Sequence, residues 1–294
     1  MMYGEEPHFK DDEKEFAGLR DVIKKQIGFN CDEYKKAHLK RRLAVRLRAN
    51  RSTSYKDYAD CLVNNADEMQ KLKDCLTINV TELFRNPETY NAVSRSVLPE
   101  LFKNKTKNNT IKVWSAGSSD GKEAYSIAIM MREFMDNSGR RYNISIIGTD
   151  IDENILRTAE TGTYKSEQLK KISKERLEKF FVKIDENRYQ VVDDIRRKVT
   201  FKNHDLISGR KLSGFDIIFC RNVTIYFEQK LQERLYLDFY NALNDGGYFV
   251  MGKTETLNGP ASKLFIPVNP GERIYMKKVN GFQVIQGNIT GRVL

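Results

Sequence analysis

Val113-Trp114-Ser115-Ala116-Gly117-Ser118-Ser119-Asp120-Gly121-Lys122-Glu123-Ala124-Tyr125-Ser126-Ile127 passes from an apolar, strand-like segment through a glycine turn into a helical one. Two chemistries compete for it. Gly117-Ser118-Ser119-Asp120-Gly121 satisfies G-x-S-x-G, the elbow on which a hydrolase carries a nucleophilic serine. The same glycines suit a turn against which a nucleotide-like cofactor rests. A hydrolase of that class needs an acid and then a histidine after the serine, and only His204 follows Ser119. No H-G-G-G-like stretch supplies an oxyanion hole, and the turn follows the first strand of the sheet rather than several. The cofactor reading prevails.

Outward from this turn the pattern alternates. Apolar strands are expected at Ile111–Ala116, Ile144–Gly148, Val199–Phe201, Ile217–Cys220 and Tyr248–Gly252, with amphipathic helices at Ala124–Met135 and Gln229–Leu243. Such alternation implies a parallel sheet wrapped by helices. Residues 161–197 break the pattern with a charged, helix-like run from Lys170 to Phe181 and a short strand at Tyr189-Gln190-Val191-Val192, read as an inserted small subdomain. Phe265–Val279 reads as an antiparallel hairpin around Asn269-Pro270-Gly271. Before residue 90 the periodicity is helical. Phe16, Leu19, Val22 and Ile23 form one stripe closed by Gly28; Leu39, Leu43 and Leu47 form a second. Tyr55, Tyr58, Ala59 and Leu62 suggest a third helix, and Met69, Leu72 and Leu76 a fourth. The expected organisation is an all-α domain over 1–90 and an α/β domain over 91–294 with the insertion at about 161–197.

Composition narrows the class. With 40% hydrophobic and 31% charged residues, the 294-residue chain reads as an ordinary globular protein. No run of about 18 apolar residues is present, and the acidic, polar start MMYGEEPHFKDDEKEF is unlike a secretion signal, so a cytoplasmic location is expected. Four scattered cysteines and three scattered histidines offer no metal-ligand spacing. The net charge is +10, and eight basic residues with no acidic one lie between Lys35 and Arg51. Lys35, Arg42 and Arg46 fall on one face of that helix. The run reads as a solvated face or as a docking patch for an acidic partner; nucleic acid is not expected, because no aromatic side chain is interleaved for stacking.

Three strand ends carry acids or amides. The second ends in Thr149-Asp150-Ile151-Asp152, where Asp150 can accept hydrogen bonds from ribose hydroxyls. The third ends in His204-Asp205-Leu206, where Asp205 can meet an adenine amino group. The fourth ends in Cys220-Arg221-Asn222-Val223. The dinucleotide pattern G-x-G-x-x-G is absent, so no pyrophosphate cradle is expected. A turn without phosphate-binding glycines but with acidic partners suits S-adenosylmethionine. The competing reading makes Asp150 and Asp205 mere helix caps or turn residues.

Several long stretches then share one resemblance. Thr77-Ile78-Asn79-Val80-Thr81-Glu82-Leu83-Phe84-Arg85-Asn86, the opening turn, Thr149–Asp152, Phe215–Phe227 and Gly246–Gly252 with Glu255-Thr256-Leu257 look like the chemoreceptor glutamate methyltransferases of bacterial chemotaxis, the CheR family. The resemblance runs from about residue 15 to 279. It implies an all-α domain followed by a class I methyltransferase-like (Rossmann-type) α/β domain with a small β-subdomain. It implies S-adenosylmethionine as donor, S-adenosylhomocysteine as product, and cofactor contacts at Asn79, Thr81, Arg85, Gly117, Glu123, Asp150, Asp205, Leu206, Asn222 and Val223. It also implies, as partner, the cytoplasmic domain of a transmembrane chemoreceptor, met by Lys35, Arg42 and Arg46 of a monomeric enzyme.

Methyl transfer to a glutamate needs no base, since the carboxylate is ionised well above its reference pKa of about 4.3. Arg85 is therefore expected to steer that carboxylate, and Tyr226 to hydrogen-bond it, to shape the methyl channel, or simply to pack. Three departures from the family pattern stand out: Leu83 for Phe, Ala124 for Pro, and Lys122 for the usual Glu. An exposed Lys122 at a helix start costs a few tenths of a kcal/mol, ~0.3, whereas one aimed into the pocket would repel a sulfonium. Two rivals stay open. A nucleic-acid methyltransferase commonly shows an N-P-P-Y type motif where this chain has Arg221-Asn222-Val223-Thr224, and a non-catalytic cofactor sensor is kept alive by Lys122.

Overall fold

The computed structural model describes residues 9–77, 79, 81–104, 110–139 and 141–278. The chain forms two units: Met1–Ile78 with Tyr226–Leu231, and Asn79–Ile225 with Gln232–Leu294. Among the described residues no helix is long and apolar enough to cross a membrane.

The first unit holds α1 (Glu13–Ile27), α2 (Lys36–Ala49), α3 (Tyr55–Val63) and α4 (Ala66–Leu76). Local chemistry sets their ends. Asp12 Oδ1 accepts from the Lys14 and Glu15 amides at 2.9 and 3.0 Å, and Gly28 closes α1 at φ 73°. Ser54 and Asn65 cap α3 and α4 through their side-chain oxygens. The expected stripes meet in one core: Phe16, Leu19, Ile23, Leu39, Leu43, Leu47, Tyr58, Leu62, Leu72 and Leu76 are all buried. Truncating a leucine such as Leu43 to alanine costs about 2–5 kcal/mol. The late segment Tyr226–Leu231 joins this unit. Lys35 donates its amide to the Tyr226 carbonyl at 2.9 Å, Glu228 donates to Glu33 at 3.0 Å, and Phe227 meets Tyr34 edge-on at 5.1 Å.

The second unit begins with α5 (Pro87–Ala92), a π turn (Val93–Val97) and α6 (Leu98–Asn104), none of them anticipated in the sequence reading. Then come β1 (Thr110–Ala116), α7 (Lys122–Ser138), β2 (Asn143–Asp150) and α8 (Glu153–Thr161). The insertion follows as β3 (Thr163–Lys165), α9 (Lys174–Phe180), β4 (Phe181–Lys183), β5 (Arg188–Val191) and α10 (Asp193–Arg196). The chain closes with β6 (Val199–Asn203), β7 (Phe215–Cys220), α11 (Gln229–Ala242), β8 (Leu243–Met251), β9 (Phe265–Asn269) and β10 (Ile274–Lys277). The five expected strands and the hairpin are all present; Val279, Ile78, Val80 and residues 105–109 lie outside the described residues. The Lys170–Phe181 run is only partly helical. Ser173 Oγ accepts from the Arg176 amide at 3.3 Å and starts α9 late, and Phe181 already belongs to β4.

One seven-stranded sheet has the order β6-β2-β1-β7-β8-β10-β9, and β3-β5-β4 form a separate antiparallel sheet. The first five strands run parallel, with Val113 opposite Ile146 and Ile217, and β10 is antiparallel to both neighbours. Strand β7 is buried along its whole length, as a parallel strand covered on both faces must be. Strand order reverses between β1 and β7. A crevice at their carboxyl ends is where such sheets hold ligands, and the opening turn lies there.

Candidate active site

The turn after β1 is held tightly. Gly117 and Ser118 both donate their amides to the Thr149 carbonyl at 2.8 Å, fastening the turn to the end of β2. Gly117 has φ 76°, and a Cβ there would come within 2.4 Å of Val223 Cγ2. Only glycine fits, because the backbone is left-handed and Val223 already fills the space. Ser119, at φ 51°, donates its amide to Asp150 Oδ2 at 2.9 Å.

Asp150 ends β2 and receives one backbone amide on each oxygen, the second from Asp152 at 3.1 Å. Burial raises its pKa above the ordinary 3.8, and these amides pull it back. Asp152 is the cap of α8, accepting from Asn154 and Ile155, and its other oxygen takes the Asn79 amide group at 2.8 Å. Asn79 in turn accepts from Ser119 Oγ at 3.4 Å, so it ties the turn to the cap. Asp205 is folded onto its own turn, taking the Ile207 amide at 2.8 Å and the Ser208 hydroxyl. Leu206 and Thr81 are half-buried.

At the end of β7 the organiser is a residue absent from the sequence-based set. Glu255 is 3% exposed and accepts five hydrogen bonds: from the Asn222 and Gly252 amides on Oε2, at 3.0 and 2.6 Å, and from the Val223 and Thr224 amides and the Thr224 hydroxyl on Oε1, at 3.1, 2.9 and 2.7 Å. This nest bends the loop so that Asn222 sits at φ 61°. Asn222 Oδ1 is shut off from solvent without a hydrogen-bond partner. An orphaned acceptor of this kind costs about 1–3 kcal/mol until a donor reaches it.

Glu123, in the first turn of α7, accepts from Ser115 Oγ at 2.8 Å and lies 3.8 Å from Arg221. Burial raises its pKa; the Arg221 guanidinium and then the Ser115 hydroxyl oppose the rise, with a smaller contribution from Arg85. Arg85 itself sits between two non-glycine residues in left-handed backbone, Phe84 at φ 52° and Asn86 at φ 58°. With Ser119 and Asn222, four of the six such residues among those described cluster on these loops, which is where backbone strain accompanies function.

Lys122 takes neither course expected of it. It is buried, paired with Asp120, and its ammonium lies 5.0 Å from the centre of the Tyr164 ring. Tyr164, on β3, also donates to the Asp120 carbonyl at 2.8 Å. The cation is thus matched by an anion two residues away, which removes the objection that it opposes a cationic ligand.

In the helical unit the expected docking residues are engaged internally. Arg46 forms a two-pronged pair with buried Glu68 at 3.0 and 2.6 Å. Arg42 donates to the Cys75 carbonyl at 2.6 Å and lies over the Tyr226 ring at 5.5 Å. Lys35 precedes α2 and is half-buried. Exposed cations on and after α2 are instead Lys36, Arg41, Arg48 and Arg51, of which Lys36 pairs with Glu13. Tyr226 belongs to this unit, its ring edge-on to His38 at 5.5 Å.

Three carboxylates (Glu123, Asp150 and Glu255) and the orphaned Asn222 oxygen therefore surround the strand ends, and this acceptor-rich setting fits a ligand bearing hydroxyl and amino donors and positive charge. A seven-stranded sheet of this order, with such a turn after β1 and an acid ending β2, defines a Rossmann-like S-adenosylmethionine-binding methyltransferase domain. Residues 79–270 match the family described as CheR methyltransferase, SAM binding domain, and residues 14–77 match its all-alpha domain. The chain belongs to the CheR methyltransferase family. It is 32% identical over 251 residues to a chemotaxis protein methyltransferase of Listeria monocytogenes, covering 85% of this chain and 93% of that one. It is also 32% identical over 265 residues to chemotaxis protein methyltransferase 1 of Vibrio cholerae, covering 88% and 95%.

Proposed function

We propose that the chain transfers a methyl group from S-adenosylmethionine to glutamate side chains on the cytoplasmic domain of a transmembrane chemoreceptor, forming methyl esters in the cytoplasm. The observation that carries this reading is similarity across both units to named chemotaxis methyltransferases. When bound, S-adenosylmethionine supplies a methyl on a positively charged sulfur that a carboxylate oxygen can accept. Asp150 offers its remaining lone pairs to hydroxyl donors, and Asn222 Oδ1 takes an amino donor that ends its isolation. Glu123 complements positive charge. Asn79, Thr81, Gly117, Asp205, Leu206 and Val223 complete the contact set.

Arg85 steers the incoming carboxylate, which is already ionised, so the transfer needs no general base. Orientation and closeness then supply several kcal/mol, about 5, of the barrier lowering. The test is incubation with methyl-labelled donor and either receptor-bearing membranes or RNA. Label that alkali releases as methanol from receptor supports the proposal. Alkali-stable label on RNA, or no label at all, contradicts it.

A further inference from the structure

Arg221 lies outside the contact set above, yet its side chain is 1% exposed at the centre of the site. One amino group donates to the Arg85 carbonyl at 2.8 Å and to Asn86 Oδ1 at 3.1 Å. The other reaches the Tyr90 hydroxyl at 3.4 Å and stands 3.8 Å from Glu123 Oε2, with the guanidinium over the Tyr90 ring at 5.3 Å. Its partners fall into two groups. Glu123 starts the helix that leaves the β1 turn; Arg85 and Asn86 form the left-handed loop that presents the steering arginine. A carbonyl and an amide oxygen on a strained loop, both taken by one planar donor, leave that loop one arrangement.

We propose that Arg221 is a positioning residue, which holds the Arg85 loop in place with one amino group while the other matches the charge of Glu123. It thereby ties the donor side of the site to the carboxylate side. The two tasks separate chemically. A lysine supplies charge toward Glu123, but its single nitrogen cannot stand beside Glu123 and at the same time reach Arg85 and Asn86, as the two amino groups of Arg221 do.

The kinetic part rests on the function proposed above; the binding and exchange parts do not. The experiment compares Arg221→Lys, Arg221→Met and Asn86→Gly with the unaltered chain. It measures thermal unfolding, S-adenosylhomocysteine affinity by calorimetry, amide exchange over residues 81–90, and kcat for carboxyl methylation. Arg221→Lys is expected to keep affinity within about threefold while exchange of the Arg85 loop quickens about tenfold and kcat falls at least tenfold. Arg221→Met leaves Glu123 uncompensated and loses affinity as well, by about a hundredfold. Asn86→Gly keeps the left-handed backbone but removes one acceptor, and loosens the loop a few-fold, ~3-fold, without touching affinity. Should Arg221→Lys not fold, Asn86→Gly carries the test alone. Unchanged loop exchange in both folded variants overturns the inference. If the unaltered chain methylates no carboxylate, the function reading fails, and the exchange result still decides the role of Arg221.

Discussion

Each unit buries one glutamate to the same 3% exposure, and the two are treated in opposite ways. In the helical unit Glu68 meets a cation: Arg46 grips both oxygens, and the Tyr58 hydroxyl adds a bond at 2.7 Å. In the methyltransferase unit Glu255 meets five N–H and O–H dipoles and, among the described residues, no cation in ion-pair contact. The first arrangement cancels a charge to close a core. The second stabilises a carboxylate in place without cancelling it, so its field persists at the strand ends, close enough that it raises the Glu123 pKa. Lys122 and Asp120 repeat the first arrangement on the β1 turn, which keeps an added cation from changing that field.

The sharpest way to break this contrast is Glu255→Ala. Five donors lose their acceptor, the Asn222–Val223 loop is released, and S-adenosylhomocysteine affinity should fall beyond about a hundredfold by calorimetry. An unchanged affinity would mean that the nest organises nothing. The counterpart, Glu68→Ala, strands a half-buried guanidinium and a buried tyrosine hydroxyl. Thermal unfolding should report a loss of about 2–3 kcal/mol with cofactor affinity unaltered. A drop in affinity there would erase the distinction between the two carboxylates.

A third, intermediate effect is acid dependence. Burial raises both Glu123 and Asp150 in the folded chain, so between their unfolded and folded values the ligand-free native state holds protons that the unfolded chain has released. Its stability contribution from these groups is therefore present below the unfolded values and lost as pH rises through the folded ones. A cationic ligand favours the ionised forms, so its binding should release protons in mildly acidic buffer and weaken about tenfold per pH unit below the site midpoint. Calorimetry in buffers of different ionisation enthalpy measures the release; proton uptake on binding would invert the assignment.

The smallest effect concerns docking. Reversing Arg46 would set two carboxylates together against Glu68 and damage the fold, so the patch is better probed at the exposed Arg41 and Arg48. Arg41→Glu with Arg48→Glu should slow receptor methylation a few-fold, ~3–10-fold, at low salt and less at high salt, leaving unfolding unchanged.

What could be read from the residues follows from which forces are local. Helical stripes such as Leu39, Leu43 and Leu47, the parallel strands, and the acid closing β2 all announce themselves by periodicity or by position in a short segment. The helices over Pro87–Asn104 are hard to read although Tyr90, Val93, Val97 and Leu101 carry helical spacing, because a π turn interrupts the run after only six residues of α5. Lys122 could not be placed, since its partner Asp120 is near but the Tyr164 ring comes from an insertion forty residues on. Glu255 and Arg221 stand inside the family-like motifs, yet their roles depend on contacts 31 to 136 residues away that no local pattern encodes.

In this reading, acceptors at the ends of β1, β2 and β7, uncancelled by cations at Glu255, hold an adenosyl ligand. Titration of S-adenosylhomocysteine into the unaltered chain and Asp150→Asn decides it. Asparagine turns an amide group toward the Ser119 or Asp152 N–H, so affinity should drop at least tenfold, ~1.4 kcal/mol, from a measurable value. Equal affinity in both proteins, or no heat of binding in the unaltered one, would show that these acceptors do not hold the ligand.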